Sequence, residues 1–292
     1  MIVPKLALII NPKSGGGVNE EKLIYLKDFF VDSPYSFEIY YTQKPKDFKG
    51  IKDFIESDVF KILAIAGGDG TMSEVLNSGI DVKQYLWHVI PIGTGNDFVR
   101  MFKKYDWQKA MLYGFEKKVD LWSLNGDYFL NALGFGFDGA VAADTHKNFA
   151  IAWPHKWKYY LAIINNILTF KEFEAEVFSK GQRMYSSSTF MLTLANGAFF
   201  GNGFNIAPNA QVDDHLLNLY IIKKISGLKR IVNIQKAKKG KHTSLSVVKH
   251  FQENSFEIQF NSKVSGQIDG ELVRFRKAFI SHAGSITFLL NK

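Results

Sequence analysis

The chain has 292 residues, of which 46% are hydrophobic, so it can bury a large core and form two domains. It carries a net charge of +8 and no cysteine, which excludes disulfides and thiolate metal sites and predicts a reducing compartment such as the cytoplasm. Its first residues lack a signal-peptide layout, and no segment has about 18 uninterrupted apolar residues, so we expect a soluble protein.

Short apolar runs alternate with helical patterns from residue 5 to about residue 119. The predicted strands span 6–10, 37–42, 62–66 and 87–90, and the predicted helices span 18–31, 47–56, 71–79 and a stretch that begins at 96. In the first helix, Leu23, Leu26 and Phe30 form one apolar stripe. This alternation predicts an α/β N-terminal domain with a parallel sheet over residues 1–121.

Three of these strands are followed by glycine-rich loops. The loops are Asn11-Pro12-Lys13-Ser14-Gly15, Gly67-Gly68-Asp69-Gly70-Thr71 and Pro91-Ile92-Gly93-Thr94-Gly95-Asn96-Asp97. The carboxyl ends of parallel strands share one sheet edge, where glycine lets backbone N–H groups face a ligand and helix N-termini favour negative charge. The loops therefore predict a phosphate cradle, although none has the Walker pattern. The alternative is a set of tight strand-to-helix turns with Asp69 as a helix cap.

Beyond residue 120 the pattern changes to many short strands, which predicts a β-sandwich over residues 122–292. The predicted strands span 120–124, 128–133, 174–179, 189–195, 217–222, 255–261, 279–282 and 286–290, with helical insertions at 156–170 and 226–238. Little of the chain remains after the last strand to return to the first domain. A glycine-rich run that resembles a dinucleotide-binding motif occurs at Gly134-Phe135-Gly136-Phe137-Asp138-Gly139, but the acidic residue that such a site needs downstream is absent. We therefore expect Asp138 to cap a helix, which is the preferred interpretation, or to face a substrate hydroxyl.

The basic residues are concentrated in one segment. No acidic residue lies between Asp214 and Glu253, a stretch that contains Lys223, Lys224, Lys229, Arg230, Lys236, Lys238, Lys239, Lys241 and Lys249. This segment is a solvated surface, a face for anionic lipid headgroups or a nucleic-acid patch, and the last lacks a recognised module. Aromatic residues are interspersed with lysines in a second segment, at Trp153, Lys156, Trp157, Lys158, Tyr159 and Tyr160. These aromatic rings either lie at a membrane interface or pack inside the protein.

The three loops, with Asn205-Ile206-Ala207-Pro208-Asn209-Ala210, Asp213-Asp214 and Gln267-Ile268-Asp269-Gly270-Glu271, resemble the diacylglycerol kinase catalytic domain family of lipid kinases. The resemblance covers nearly the whole chain. It implies an active site in the cleft between the two domains and Mg2+-dependent transfer of the ATP γ-phosphate to the free hydroxyl of diacylglycerol or a related membrane lipid. It also implies a role in phospholipid biosynthesis and a cytoplasmic enzyme that is peripheral at the inner membrane surface.

The same resemblance assigns roles to individual residues. Asp269 would be the general base, although on sequence alone an Asp-Gly hairpin turn of type I′ explains it as well, and Glu271 would lie near the nucleotide and its metal. Asp97, Arg100 and Asp120 would be further functional polar residues. Asp69 would link the cradle to Mg2+ through water. The implied ATP site comprises Asn11, Pro12, Lys13, Ser14, Gly15, Thr42, Gly67, Gly68, Asp69, Gly70, Thr71, Met72, Ser73 and Thr94.

A second, structural Mg2+ site is implied at Gln211, Asp214 and Leu216, the first and last through backbone carbonyls. The family has glycine where this chain has His215, so we expect a positive φ at His215 and local strain. Two other functions are alternatives. The first is NAD kinase, although the chain has Glu74-Val75-Leu76-Asn77 in place of its acceptor-binding Asn-Glu pair. The second is a non-catalytic, nucleotide-binding regulator at the membrane. The sequence does not identify the acceptor lipid, the preferred acyl chains or the oligomeric state, and a homodimer is possible.

Overall fold

The computed structural model describes residues 4–147, 163 and 165–292, and the chain forms two compact units. The first contains the residues up to Leu121 together with Gly284–Lys292, and the second contains Trp122–Ala283. The prediction that residues 122–292 all belong to the second domain is therefore wrong for residues 284–292. These residues return to the first unit because Thr287 and Phe288 pair in parallel with Leu86 and Trp87.

The first unit contains the predicted parallel sheet. Its strands are β1 (Lys5–Ile10), β2 (Ser36–Tyr41), β3 (Ile62–Gly67) and β4 (Leu86–Pro91), in the order β2-β1-β3-β4, and the last strand of the chain continues the sheet beside β4. Every residue of β3 is buried. A continuous apolar run of this kind is typical of a strand covered on both faces.

The helices of the first unit are α1 (Glu20–Val31), α2 (Phe48–Glu56), α3 (Asp69–Leu76), α4 (Asp97–Arg100) and α5 (Trp107–Tyr113). All four predicted helices are present, and α5 was not predicted. Helix α1 begins later than expected because the Asn19 side chain accepts a hydrogen bond from the Lys22 N–H at 3.0 Å and so caps the helix. Leu26 and Phe30 are buried and Leu23 packs beside them, as the apolar stripe predicted.

The second unit consists mainly of antiparallel strands. They are β5 (Phe115–Leu124, which begins in the first unit), β6 (Asp127–Phe129), β7 (Ala132–Gly136), β8 (Phe173–Ser179), β9 (Gln182–Ala195), β10 (Phe199–Phe200), β11 (Phe204–Asn205), β12 (Leu217–Lys223), β13 (Val248–Glu253), β14 (Ser255–Ile268) and β15 (Glu271–Leu290). The first half of β9 and of β14 pairs with β8, and the second half of each pairs with β7. Long strands that change partners in this way join the layers of a sandwich-like domain.

Helices α6 (Phe137–Lys147) and α7 (Gly227–Lys238) lie in the second unit, and residues 165–169 are also helical. The predicted insertion at 156–170 is otherwise largely outside the described residues, as are Trp153, Trp157, Tyr159 and Tyr160. The segments 279–282 and 286–290, predicted as two strands, belong to the single strand β15, and β13 was not predicted. Within the described parts of the chain, no helix is long and apolar enough to span a bilayer.

Candidate functional site

The three glycine-rich loops of the first unit are in direct contact. The Asn11 Nδ2 donates a hydrogen bond to the Thr71 hydroxyl at 3.0 Å, and the Ser14 hydroxyl lies 3.5 Å from the same oxygen. The Gly93 N–H donates to the Gly67 carbonyl at 3.2 Å. Strand ends of one parallel sheet therefore bring the loops together, as the sequence predicted.

Two glycines allow this close approach because a side chain at either position would collide with backbone. A Cβ at Gly15, which has a φ of +64°, would lie 2.5 Å from the Ile92 carbonyl oxygen. A Cβ at Gly93 would lie 2.4 Å from the Gly68 Cα. At these two positions the loops therefore meet through bare backbone. Glycine-rich backbone at strand ends also lets an anion approach N–H groups without steric hindrance.

Asp69 joins the second loop to the third. Its Oδ2 accepts a hydrogen bond from the Asp97 N–H at 2.8 Å, and its Oδ1 accepts one from the Phe98 N–H at 3.2 Å. Asp69 therefore caps α4. The alternative that it caps the helix after its own loop is wrong, because Gly68 is the N-cap residue of α3 and no side chain caps that helix. Burial raises the pKa of Asp69, and the two N–H donors oppose that rise. Its link to Mg2+ stays a prediction.

The other predicted polar residues of this unit are held by ion pairs or hydrogen bonds. Asp97 is buried and forms an ion pair with Arg100 at 3.5 Å, while the Arg100 side chain is 41% exposed. Asp120 is buried and accepts a hydrogen bond from the Ser285 hydroxyl at 3.2 Å. Among the implied ATP-site residues, Lys13, Gly15 and Thr94 are exposed, whereas Thr42, Gly67, Thr71, Met72 and Ser73 are buried.

Asp269 lies in a two-residue turn between β14 and β15 of the second unit. Asp269 has a φ of 45° and Gly270 a φ of 93°, which matches the type I′ hairpin that the sequence favours equally. The buried carboxylate accepts hydrogen bonds from the N–H groups of Leu130 at 2.9 Å, Asn131 at 3.1 Å and Ala132 at 2.9 Å. The structure thus fixes Asp269 tightly in place, and its role as a base stays a prediction.

The implied metal loop has the backbone conformation that the sequence predicted. His215 has a φ of 62°, and the Asp214 Oδ1 accepts a hydrogen bond from the Leu216 N–H at 3.0 Å across it. The exposed imidazole of His215 contacts the ring of His282 edge-on, with centroids 4.9 Å apart. Gln211 is exposed at the start of the loop. The implied donors are all oxygen atoms, which Mg2+ prefers, so the residues present suit the ion.

Asp138 lies inside the first turn of α6 and not at the position before it, so the preferred capping interpretation is wrong. The Gln267 side chain hydrogen-bonds to its carboxyl group, and the buried Oδ2 has no hydrogen-bond partner within the described parts of the chain. Burial raises the pKa of Asp138 to about 7. A buried carboxyl group with an unused polar atom is a candidate contact for a ligand.

Two features of the site were missed by sequence reasoning. The N–H groups of residues 130–132 that hold Asp269 are backbone donors, which leave no pattern of residue types. Arg230 was counted with the basic surface but is buried, and its guanidinium donates to the carbonyls of Ile225, Ile167 and Phe170 and pairs with Glu172. The available signal was that it is the one arginine in a segment whose other basic residues are lysines.

Comparison with known families agrees with this two-unit organisation. Residues 5–121 match the family model of the diacylglycerol kinase catalytic domain, and residues 131–276 match the model of the YegS C-terminal NAD kinase beta sandwich-like domain. The chain belongs to the diacylglycerol kinase family of lipid kinases. The protein is therefore a kinase.

This lipid kinase is similar to the diacylglycerol kinase of Bacillus subtilis (strain 168), with 26% identity over 279 residues that cover 90% of this chain and 88% of the relative. It is 28% identical over 277 residues to the diacylglycerol kinase of Staphylococcus carnosus (strain TM300), which covers 90% and 87% of the two chains. A crystal structure of a diacylglycerol kinase from Bacillus anthracis str. Sterne shares its fold, with a TM-score of 0.71, 23% identity and coverage of 98% and 97%. An NAD kinase from Archaeoglobus fulgidus in complex with ATP has a TM-score of 0.56 at 12% identity, with coverage of 99% and 94%.

Proposed function

We propose that this lipid kinase transfers the γ-phosphate of ATP to the free hydroxyl of diacylglycerol or a closely related membrane lipid. The observation that carries the nucleotide half is the contact between the three loops, which meet through bare backbone at Gly15 and Gly93. Two curated relatives named diacylglycerol kinase, each matched over 90% of this chain, support the acceptor.

Within this proposal the first unit binds the nucleotide and the second supplies the base. The loop N–H groups and Lys13 bind the phosphates, and Asp269 accepts the proton of the acceptor hydroxyl as the new oxygen–phosphorus bond forms. Three backbone donors hold Asp269 in one orientation, which a positioned general base requires. Glu271, Asp97, Arg100 and Asp120 are polar residues proposed to act on the reacting groups.

Mg2+ supplies positive charge that offsets the charge developing on the transferred phosphate oxygens. In this chain Asp69 would contact the catalytic ion through water. Asp214, with the backbone carbonyls of Gln211 and Leu216, would hold a structural ion in the second unit. Carboxylate and carbonyl oxygens are the ligands that this hard cation prefers.

We also propose peripheral attachment to the anionic surface of the inner membrane. Lys236, Lys238, Lys239 and Lys241 are exposed at the end of α7 and just beyond it, and each adds about 1 kcal/mol of attraction when it is near such a surface. Arg230 does not contribute because its charge is used inside the protein. Binding to phosphatidylglycerol vesicles should fall with added salt and should be mostly lost when these four lysines are replaced by Gln.

The acceptor is tested by incubating the protein with labelled ATP and Mg2+ against diacylglycerol, sphingosine, ceramide, phosphatidylglycerol and NAD. The proposal expects labelled product from diacylglycerol or one other lipid. Product from NAD alone would make the protein an NAD kinase. If no acceptor is labelled although ATP binds, the chain is a nucleotide-binding regulator.

A further inference from the structure

Three consecutive residues of the second unit hold the Asp269 carboxylate, and we call them the donor segment. Leu130 and Asn131 form a bend between β6 and β7, and Ala132 begins β7. Their N–H groups all donate to the carboxylate, and the Ala132 carbonyl accepts from the Asp269 N–H at 3.0 Å. Leu130 and Asn131 are buried, so their carbonyls also need partners inside the protein.

Asn196 supplies partners to both carbonyls. Its side-chain Nδ2 donates to the Leu130 carbonyl at 2.8 Å, and its backbone N–H donates to the Asn131 carbonyl at 2.9 Å. The Gly197 N–H donates to the same Asn131 carbonyl at 3.1 Å. Every backbone polar group of the donor segment is thus bonded to Asp269 on one side or to Asn196 and Gly197 on the other. Asp269 and Asn196 therefore hold the donor segment between them.

The amide of Asn196 is itself fixed at both ends. The residue is fully buried, and its Oδ1 accepts a hydrogen bond from the Trp122 indole N–H at 3.0 Å. The Trp122 side chain is also fully buried. An indole N–H only donates and a carbonyl only accepts, so these two partners define which end of the amide faces the Leu130 carbonyl. Rotation of the amide would leave buried polar groups without partners, which is costly.

The hydrogen bonds of Asn196 act on the same peptide groups that donate to Asp269. The peptide group between Leu130 and Asn131 accepts from the Asn196 Nδ2 at its carbonyl and donates to the Asp269 Oδ1 at its N–H. The next peptide group accepts from the Asn196 backbone N–H and donates to the same Oδ1 through Ala132. Hydrogen bonds that run head to tail through a peptide group polarise and strengthen one another. Asn196 therefore strengthens both donors to Oδ1.

We propose that Asn196 is a positioning residue for phosphate transfer, which orients the Asp269 carboxylate through the donor segment toward the acceptor hydroxyl. The inference rests on the proposed function, since it names how the proposed base is held. A displacement of a reacting group by about 1 Å lowers the rate about a hundredfold. Loss of the Asn196 amide should therefore lower kcat about tenfold to a hundredfold. KM for ATP and for the lipid should change little, because the base acts in the chemical step.

The test uses Asn196→Leu, which keeps the size of the side chain and removes both of its hydrogen bonds. The matched control is Leu192→Ala, which removes a buried side chain from β9, the strand that leads into Asn196, at a position paired with Phe135 of β7. Asn196→Leu should lower kcat for dioctanoylglycerol at nearly constant KM. Leu192→Ala should lower the thermal midpoint and leave kcat nearly unchanged. Normal kcat in Asn196→Leu, or an equal loss of kcat in both variants, would overturn the proposal.

A double-mutant cycle shows whether Asn196 acts through Asp269. In an Asp269→Asn background the base is already absent, so Asn196→Leu should not lower the residual turnover further. An undiminished effect in that background would refute positioning through Asp269. If Asn196→Leu does not fold, Trp122→Phe replaces it, because this change removes the N–H that fixes the Asn196 amide. Trp122→Phe should lower kcat by a smaller factor and lose this effect in the Asp269→Asn background, and an unchanged kcat would contradict the proposal.

Hydrogen exchange separates this inference from the proposed function, because it needs no substrate. Exchange of the donor-segment amides is followed by mass spectrometry in the wild-type chain and in Asn196→Leu. These amides should exchange faster in the variant, whereas the amides of β8 should exchange at the same rate in both proteins. If the wild-type chain phosphorylates no lipid but the exchange result holds, the proposed function fails and the role of Asn196 in holding Asp269 stands. Unaltered exchange of the donor segment would refute the inference even in an active enzyme.

Discussion

Replacing Asp138 by Asn should change how the stability of the protein depends on pH. Burial raises the pKa of Asp138 from 3.8 to about 7 in the folded protein. The folded chain therefore holds this proton more tightly than the unfolded chain does. Its contribution to stability is fully present below the unfolded pKa and is lost as the pH rises through about 7. Asparagine does not titrate, so Asp138→Asn should remove this loss.

The magnitude follows from the difference of about three pKa units, each worth about 1.4 kcal/mol, or about 4 kcal/mol when fully developed. Between pH values of about 5 and 8 the difference in unfolding free energy between variant and wild type should shift by roughly 3 kcal/mol in favour of the variant. Asp138→Asn also replaces one carboxylate oxygen by an amide nitrogen, and the resulting change in unfolding free energy is the same at each pH. It therefore does not affect the slope.

The assay is urea unfolding of both proteins at several pH values, followed by circular dichroism. Gln267→Leu is a matched control, because the Gln267 hydrogen bond lowers the pKa of Asp138. Without that bond the loss of stability should extend to higher pH, and adding Asp138→Asn should abolish the extension. A free-energy difference between Asp138→Asn and wild type that is flat with pH would refute the reasoning.

Further predictions concern the nucleotide loops, the base, the metal loop and one core histidine. Asp269→Asn should lower turnover about 10²- to 10⁴-fold with ATP affinity retained in a titration, and near-normal turnover would rule out the base. Asp69→Ala should remove the cap of α4, lower the free energy of urea unfolding by about 1 kcal/mol and weaken nucleotide binding. An unchanged unfolding free energy and an unchanged nucleotide affinity would count against the role of Asp69 in joining the second and third loops. His215→Gly should relieve roughly 1 kcal/mol of strain, raising the thermal midpoint and lowering the Mg2+ concentration needed for activity. Burial lowers the pKa of His88 to about 4, so the folded state resists protonation, and the stability that His88 contributes at neutral pH should be lost as the pH falls from about 6.5 through 4. In His88→Phe, the unfolding free energy measured with urea should depend less on pH over this acid range.

Local patterns in the sequence were sufficient for β1 to β4 and the three loops of the first unit, but not for α5 or for residues 284–292. A buried strand such as β3 reads as an unbroken apolar run, and the glycine-rich loop that follows it has few alternatives to a close backbone approach. The positive φ at His215 was also predictable, because a position where the family has glycine favours the left-handed region. The strand and the loop depend on neighbours along the chain, and the conformation at His215 followed from the family pattern.

Other features depend on residues that are distant in the sequence. The sequence showed Asp269 beside Gly270 but gave no sign of the N–H groups near residue 131 that hold its carboxylate. Arg230 stands among lysines, and only the folded chain brings carbonyls and Glu172 around it. Residues 284–290 are the end of β15, whose first part pairs with β14 of the second unit, yet Thr287 pairs with the parallel sheet.

The sequence by itself determined most elements of the first unit, the three loops and the family, because helix periodicity, apolar runs and glycine positions are short-range properties of the chain. Only the tertiary structure decided that Asp69 caps α4, that Asp138 faces an apolar cavity and that Arg230 is internal. A carboxylate or guanidinium looks the same in the sequence whether it meets water or protein. Its partners, and hence its charge state and its role, are set by long-range packing.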